Sequence, residues 1–222
     1  MSTLTLTEEN YLKAIYTVQY REDKGEVSVN EIAERMQTRP ATVTDMLRKL
    51  SEKELIEYEK YKKLKLSPSG LKFALEIVRK HRLWETFLHD KLNFSWDEVH
   101  EVAEQLEHIH SQKLIDRLDA FLGHPKFDPH GDPIPDAKGE LPEASALCLA
   151  DAKKNKNYII VAVKDTSSSF LQQLEKMELA IGSPVAVMDR MPYDNSNVVK
   201  TAKHKQLMLS EKIALNILVK AV

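Results

Sequence analysis

The sequence predicts a mainly α fold with a small β part. A winged helix-turn-helix comes first, a helical domain follows, and a small β-barrel ends the chain. Three observations carry this. Helical periodicity dominates from Glu8 to Leu122, broken by a basic, loosely alternating stretch from Leu55 to Leu66. Five of the nine prolines and three of the six glycines crowd between Gly123 and Pro142, which neither a helix nor a central strand tolerates. Beyond that connector, β-rich runs alternate with turns.

Each element has a local reason. Tyr11, Leu12, Ile15 and Tyr16 recur at helical spacing, so Glu8–Tyr20 reads as a helix with Thr7 as its N-cap. Ser28-Val29-Asn30-Glu31 is a capping box opening a helix over Val29–Met36. Gln37-Thr38-Arg39-Pro40 interrupts it, and Ala41–Lys53 follows, burying Val43, Met46, Leu47 and Leu50. Two short helices across a tight turn suggest a helix-turn-helix. The Leu55–Leu66 stretch reads as a β-hairpin with a lysine-rich tip, which is where a winged helix has its wing. Ser67 caps a long helix with Pro68 in its first turn, running through Phe73, Ile77, Leu83, Trp84 and Leu88. One more helix, capped by Ser95, is expected from Trp96 to about Leu122. After the connector come a strand at Tyr158–Val163, a short helix at Ser169–Leu179 and a second strand at Val185–Met188. Ile213–Val219 suits strand or helix equally.

The 222 residues suffice for two or three domains, and 42% apolar with 30% charged residues is ordinary for a globular chain. No apolar run reaches the roughly 18–20 residues of a membrane span. The N-terminus lacks the basic start and apolar stretch of a secretory signal. The single Cys148 excludes an intramolecular disulfide framework and a four-cysteine zinc site, so a cytoplasmic setting is expected. The net charge of −2 hides an asymmetry. Arg35–Lys65 holds nine Lys/Arg against five Asp/Glu, whereas His81–Ala120 holds four against nine together with five of the eight histidines. Basic patches suit phosphate, and acid-plus-histidine clusters suit metal.

His100, Glu104, Glu107 and His108 stand at i, i+4, i+7 and i+8, an arc of about 100° on a helix. Val99, Val102, Leu106 and Ile109 take the other side. His81 and Glu85 repeat the i, i+4 spacing on the preceding helix. Two antiparallel helices presenting such faces can close a metal site. Imidazole and carboxylate without thiolate select Mn²⁺ or Fe²⁺, with Zn²⁺ admissible. The plainer reading is a solvated acidic face with incidental histidines, but the same spacing on both helices weighs against it. Other residues get plainer readings. His124 and His130 shape a proline-rich turn, Trp84 and Trp96 pack, Cys148 is a small residue, and His89, His110 and His204 have no useful spacing.

This order of parts resembles the diphtheria-toxin-repressor/manganese-transport-regulator family. The resemblance rests on Thr7-Glu8-Glu9-Asn10-Tyr11-Leu12-Lys13-Ala14-Ile15-Tyr16, Arg79-Lys80-His81-Arg82-Leu83, Leu106-Glu107-His108, and His124-Pro125 through Pro135. It covers the chain, more specifically over the first 140 residues than the last 65. It implies a homodimeric, metal-activated transcriptional repressor binding palindromic operator DNA, controlling metal uptake and homeostasis genes, with an SH3-like (FeoA-like) last domain. The expected divisions are 1–70 for DNA binding, 71–140 for dimerisation and metal, 141–156 as linker and 157–222 for the last domain. The resemblance places a primary metal site at Asn10, Glu104, Glu107 and His108, and an ancillary site at His81, Glu85 and His100. Three departures stand out. Glu104 is manganese-like where iron-type members often carry cysteine. Asn10 replaces methionine or aspartate, and Lys13 replaces a second glutamate of manganese-type members, which favours two separate sites. In the last domain Ser167 and Phe170 fall near the ligand places of iron-type members and cannot substitute, which leaves Asp165 or Gln173 as the residues that could.

In the resulting picture, metal ties the first helix to the dimer core and selects the spacing of two recognition helices over successive major grooves. Thr42 and Thr44 touch bases; Arg39, Arg48 and Lys49 hold phosphates, and Asp45 accepts from cytosine or orients a neighbour. Lys60, Lys62 and Lys63 on the wing add salt-sensitive affinity. The alternatives are a metal-independent winged-helix regulator and a di-metal carboxylate enzyme. The second lacks a further Glu-x-x-His pair and any sign of a substrate pocket.

Overall fold

The computed structural model describes residues 4–22, 24–58, 63–143 and 145–222. These form two compact units, Met1–His81 with Glu104–Gln112 and Pro135–Glu140, and Arg82–Ala103 with Lys113–Ile134 and Leu141–Val222.

In the first unit, α1 (Leu6–Tyr16) starts two residues earlier than its predicted cap implied. Thr5 is the N-cap: its hydroxyl accepts the Glu8 N–H, and the Glu8 carboxylate accepts the Thr5 N–H. Thr7 has no acid three residues on, so Thr5-x-x-Glu8 wins. A π-helical turn (Thr17–Arg21) extends α1. The Ser28–Glu31 capping box forms as read and opens α2 (Val29–Arg35). Across a turn, α3 (Pro40–Glu52) begins with proline in its first turn. Strands β1 (Ile56–Glu57) and β2 (Lys65–Leu66) pair antiparallel as the wing base. The Gln19 side-chain carbonyl accepts the Leu66 N–H at 2.9 Å, which pins the wing to the first helix. The wing tip with Lys60 and Lys62 lies outside the described residues.

Leu12, Ile15, Val27, Ile32, Val43, Leu47, Leu50 and Leu64 are fully buried together, drawn from α1, α2, α3 and the bridged pair Val27 and Leu64. Leu12, Ile15, Val43, Leu47 and Leu50 are the apolar i, i+3, i+4 positions of the sequence, so the periodicity marked the core face. The long helix α4 (Pro68–Leu92) enters this core through Ala74 and Ile77. Gly70 permits its close start: a Cβ there would meet the Leu55 carbonyl oxygen at 1.8 Å.

The predicted single helix over 96–122 is two helices, α5 (Val99–Leu106) and α6 (Gln112–Phe121). Glu107 and His108 therefore stand beyond the end of α5 rather than on its face. Glu107 turns inward to bury its carboxylate completely, which a continuous polar helix face would not do.

The second unit contains a six-stranded antiparallel sheet in the order β3-β8-β4-β5-β6-β7. Its strands are β3 (Leu147–Cys148), β4 (Asn157–Val163), β5 (Pro184–Arg190), β6 (Asn197–Thr201), β7 (Leu207–Leu209) and β8 (Ile217–Ala221). Bulges in β4 between Ile160 and Ala162, and in β5 between Val187 and Asp189, bend it. Helices α7 (Ser168–Lys176) and α8 (Glu211–Leu215) accompany it, and the ambiguous C-terminal run is α8 followed by β8. Strand β3 and the fully buried Leu149 fall within the stretch read as a linker.

Candidate metal centre

Within the first unit, Glu107 is the hub. Its Oε2 lies 2.5 Å from His81 Nδ1, and both its oxygens lie 2.7 Å from Lys13 Nζ. Lys13 also reaches Glu104 Oε1 at 2.5 Å. Burial alone would raise the Glu107 pKa, but the His81 hydrogen bond and the Lys13 charge outweigh it and hold the carboxyl below its usual value. His81, Glu104 and Glu107 bring donor atoms within 4.8 Å of one another.

His108 is held by a residue the sequence reading passed over. Its Nδ1 lies 2.5 Å from Glu9 Oε2, with only 12% and 6% of the two side chains exposed. Its Nε2 is thereby directed inward, 3.8 Å from Glu107 Oε1. A carboxylate on one imidazole nitrogen and a ligand position on the other is the usual support of a metal-binding histidine. Glu9 also lies 3.7 Å from His110 Nε2.

Asn10 follows Glu9 on α1 and lies one helical turn before Lys13. Its Oδ1 is buried and makes no hydrogen bond within the described structure. Leaving such an acceptor unmet costs about 1–3 kcal/mol. A divalent cation would satisfy it, and carboxylate, imidazole and amide oxygen together suit Mn²⁺, Fe²⁺ or Zn²⁺. The donor set fits a metal ion.

The second unit holds another cluster. Glu85 Oε1 is 3.1 Å from His100 Nδ1, whose side chain is half exposed. Glu85 Oε2 faces inward, 3.7 Å from His130 Nδ1. Glu85, Asp128 and His130 are all buried, with donor atoms within 4.8 Å of one another. His130 Nε2 contacts the Trp96 carbonyl at 3.0 Å, and the two rings stack. Asp128 Oδ1 accepts the N–H groups of His130 and Asp132 at 2.8 and 2.9 Å, while its Oδ2 is buried without a hydrogen bond. Burial, Asp132 and Glu85 push the Asp128 carboxyl up to about 7. Burial pulls the His130 pKa down, but Glu85, Asp128 and the Trp96 carbonyl outweigh it and raise it. Arg82 Nε lies 3.7 Å from Asp128 Oδ2 and offsets part of this acidity, and what remains among Glu85, Asp128 and Asp132 suits a further cation.

His130 therefore does more than shape a turn. The signal for it was Asp128-Pro129-His130-Gly131-Asp132, a histidine between two acids, read only for its proline and glycine. The structure brings Glu85 and His100 together as expected and commits His81 Nδ1 to Glu107. Asp165 accepts the Ser167 N–H at the start of α7, and Gln173 is exposed on that helix.

On the DNA-binding side, Arg39, Thr42, Arg48 and Lys49 are exposed around α3. Thr44 donates its hydroxyl to the Pro40 carbonyl at 2.9 Å, so it offers a base its methyl group first. Arg48 lies 3.6 Å from Asp45, and Lys63 is exposed at the wing. Glu8, nearly buried, meets Lys53 at 2.6 Å, which links α1 to the end of α3.

Known proteins resemble this chain along its length. Residues 3–64 match the iron dependent repressor N-terminal DNA binding domain, 67–136 its metal binding and dimerisation domain, and 147–221 the FeoA domain. The chain is 33% identical over 193 residues to the iron-dependent repressor IdeR of Mycobacterium leprae, covering 86% of this chain and 73% of that protein. It is 37% identical over 114 residues to the transcriptional regulator MntR of Geobacillus kaustophilus, covering 51% of this chain and 79% of the relative. Among solved structures, a manganese-dependent transcriptional repressor in complex with manganese superimposes with TM-score 0.87 at 34% identity, over 97% of this chain and all of the other. ScaR with bound Cd²⁺ gives TM-score 0.79 at 34% identity, over 97% and 99% of the two chains.

Proposed function

This chain belongs to the iron-dependent repressor family, DNA-binding transcriptional repressors rather than enzymes, and on that premise we infer where its Mn²⁺ or Fe²⁺ sits and how the ion acts. The primary ligands are Asn10 Oδ1, Glu104, Glu107 and His108 Nε2, with His81 holding Glu107 in place. The second site is Glu85, Asp128 Oδ2 and His130 Nδ1, with His100 on the outer oxygen of Glu85. The observation that carries the primary site is the buried, unbonded Asn10 Oδ1 on the helix whose neighbours Glu9 and Lys13 already grip His108, Glu104 and Glu107.

When bound, the ion supplies positive charge at one point shared by α1 and the 104–108 segment. The chain's own residues convey the effect. Asn10 fixes α1, Glu8 carries that position to Lys53, and α3 presents Arg39, Thr42, Thr44, Arg48 and Lys49 to DNA. We propose palindromic operator DNA as the target, read by two α3 helices of a homodimer in successive major grooves. The exposed Leu92, Leu114 and Phe121 on α4 and α6 support an apolar dimer contact. Among the described residues no helix is long and apolar enough to cross a membrane. Acting on operator DNA implies the cytoplasm. The proposed divisions remain a winged helix to about residue 70, a helical domain to about 140 and a FeoA-like domain at the end.

The test is fluorescence anisotropy of a palindromic promoter fragment at fixed salt, with Mn²⁺ and, anaerobically, Fe²⁺. Wild type should bind only with metal and release on chelation, and Glu107→Gln should not respond to metal. A Glu107→Gln protein that still binds operator only with metal would show that the site lies elsewhere.

A further inference from the structure

The proposed primary site already contains a cation belonging to the chain. Lys13 Nζ lies 2.5 Å from Glu104 Oε1 and 2.7 Å from each oxygen of Glu107. Its side chain is 15% exposed and Glu107 is fully enclosed. We infer that Lys13 is a tethered competitor for the metal: its ammonium occupies the cation position between Glu104 and Glu107, and a divalent ion loads there by displacing it. The inference rests on the primary-site reading above and deepens it.

Two arguments support displacement rather than coexistence. The first is geometric. Both oxygens of Glu107 face Lys13, and Oε2 is also taken by His81 at 2.5 Å. Oε1 makes no hydrogen bond, but the ammonium 2.7 Å away occupies the space a metal at roughly 2.0–2.2 Å from it would need. The second is charge. Glu104 and Glu107 bring two negative charges, which balance one divalent ion, and Lys13 in place already cancels one of them. Asn10 contributes no charge to compensate. The ammonium therefore holds the metal-free site together and raises the metal concentration needed to fill it. Lys13 lies on α1, one turn from Asn10, so its departure and the arrival of metal at Asn10 act on the same helix. Lys13 is thus an affinity-setting residue rather than a ligand.

The experiment compares the full-length wild type with Lys13→Met, Lys13→Gln and Lys13→Arg by Mn²⁺ titration against a chelating fluorescent indicator. Thermal unfolding is followed with and without Mn²⁺. Lys13→Met and Lys13→Gln should bind Mn²⁺ on the order of tenfold more tightly, the scale of outer-shell effects at metal sites. Their metal-free melting temperatures should fall and their gain on adding Mn²⁺ should grow. Lys13→Arg, which keeps the charge, should stay close to wild type. Unchanged or weaker Mn²⁺ binding by the folded Met and Gln variants would overturn the inference. Glu107→Gln separates the two levels of the argument. If it loses Mn²⁺ while Lys13→Met fails to gain affinity, the competitor role alone falls. If Glu107→Gln retains full Mn²⁺ binding, the primary-site reading falls and the competitor role with it.

Discussion

Glu9→Gln tests the support of His108 with an isosteric change. The Glu9 Oε2 to His108 Nδ1 contact is 2.5 Å long and both side chains are largely shielded from water. A hydrogen bond to a charged partner contributes about 1.5–3 kcal/mol, against about 0.5–1.5 for a neutral pair. Glutamine preserves the acceptor and the volume but removes the charge, so about 1–1.5 kcal/mol of support for the inward-facing His108 Nε2 should be lost. At about 1.4 kcal/mol per tenfold, Mn²⁺ binding weakens by roughly tenfold. That lies at the lower end of the 10–100-fold range of outer-shell changes. Competition for Mn²⁺ against a chelating indicator measures it, with far-UV circular dichroism of the metal-free protein as the control for folding. The fold should be intact because Glu9 is not part of the α1 capping box, which uses Glu8. Mn²⁺ binding within twofold of wild type in a folded Glu9→Gln protein would refute the role given to Glu9 and weaken the place of His108 among the ligands.

Three further outcomes follow from the same structure. Glu31 accepts from Ser28 and pairs with Lys24, which hold its carboxyl at about 2. Its stabilising contribution is complete above pH ~4.5 and disappears as pH falls towards 2, about 1 kcal/mol after discounting for solvent screening. Glu31→Gln should therefore be less stable than wild type at pH 7 in urea titrations and equal to it near pH 2; a gap independent of pH would contradict this. Lys49→Gln should lower the slope of log K against log salt for operator binding by about 0.9 per lost phosphate contact, with little change in sequence preference; an unchanged slope would remove Lys49 from the DNA contacts. Gly131→Ala should destabilise the protein by more than about 3 kcal/mol, because its φ is +84° and a Cβ would meet the Val161 oxygen at 2.1 Å. Gly25→Ala, at φ +69° in open space, should cost only about 1 kcal/mol in the same denaturation assay. Equal costs would contradict the close packing of the 128–134 loop on β4.

Local chemistry was legible wherever a few neighbouring residues decide it. The Ser28–Glu31 box, Pro40 opening α3 and the core face of Val43, Leu47 and Leu50 all follow from short-range rules. The break between α5 and α6 was not legible, because it contains neither proline nor glycine: residues 107–111 leave helical geometry while Glu107 binds partners distant in sequence, His81 and Lys13. Periodicity grouped Glu104, Glu107 and His108 on one helix face, but α5 stops at Leu106, before two of them. Lys13 illustrates the same limit. As a sequence position it was only a missing glutamate; as a side chain it is an ammonium between two carboxylates. Asp128 and His130 escaped because a loop has no periodicity to announce which residues turn inward. Their burial depends on Gly131 approaching the Val161 backbone and on the Val163 N–H bonding to the His130 carbonyl at 3.0 Å.

On the reading proposed above, Asn10, Glu104, Glu107 and His108 hold one divalent ion. The most direct measurement is an anomalous difference map from a crystal of the full chain loaded with Mn²⁺, collected at the manganese edge. The expected result on this reading is a peak bonded to Glu107, Glu104, His108 Nε2 and Asn10 Oδ1, with Lys13 turned away from Glu107. A manganese-loaded crystal with no peak among these four residues, and Lys13 still between Glu104 and Glu107, would contradict it.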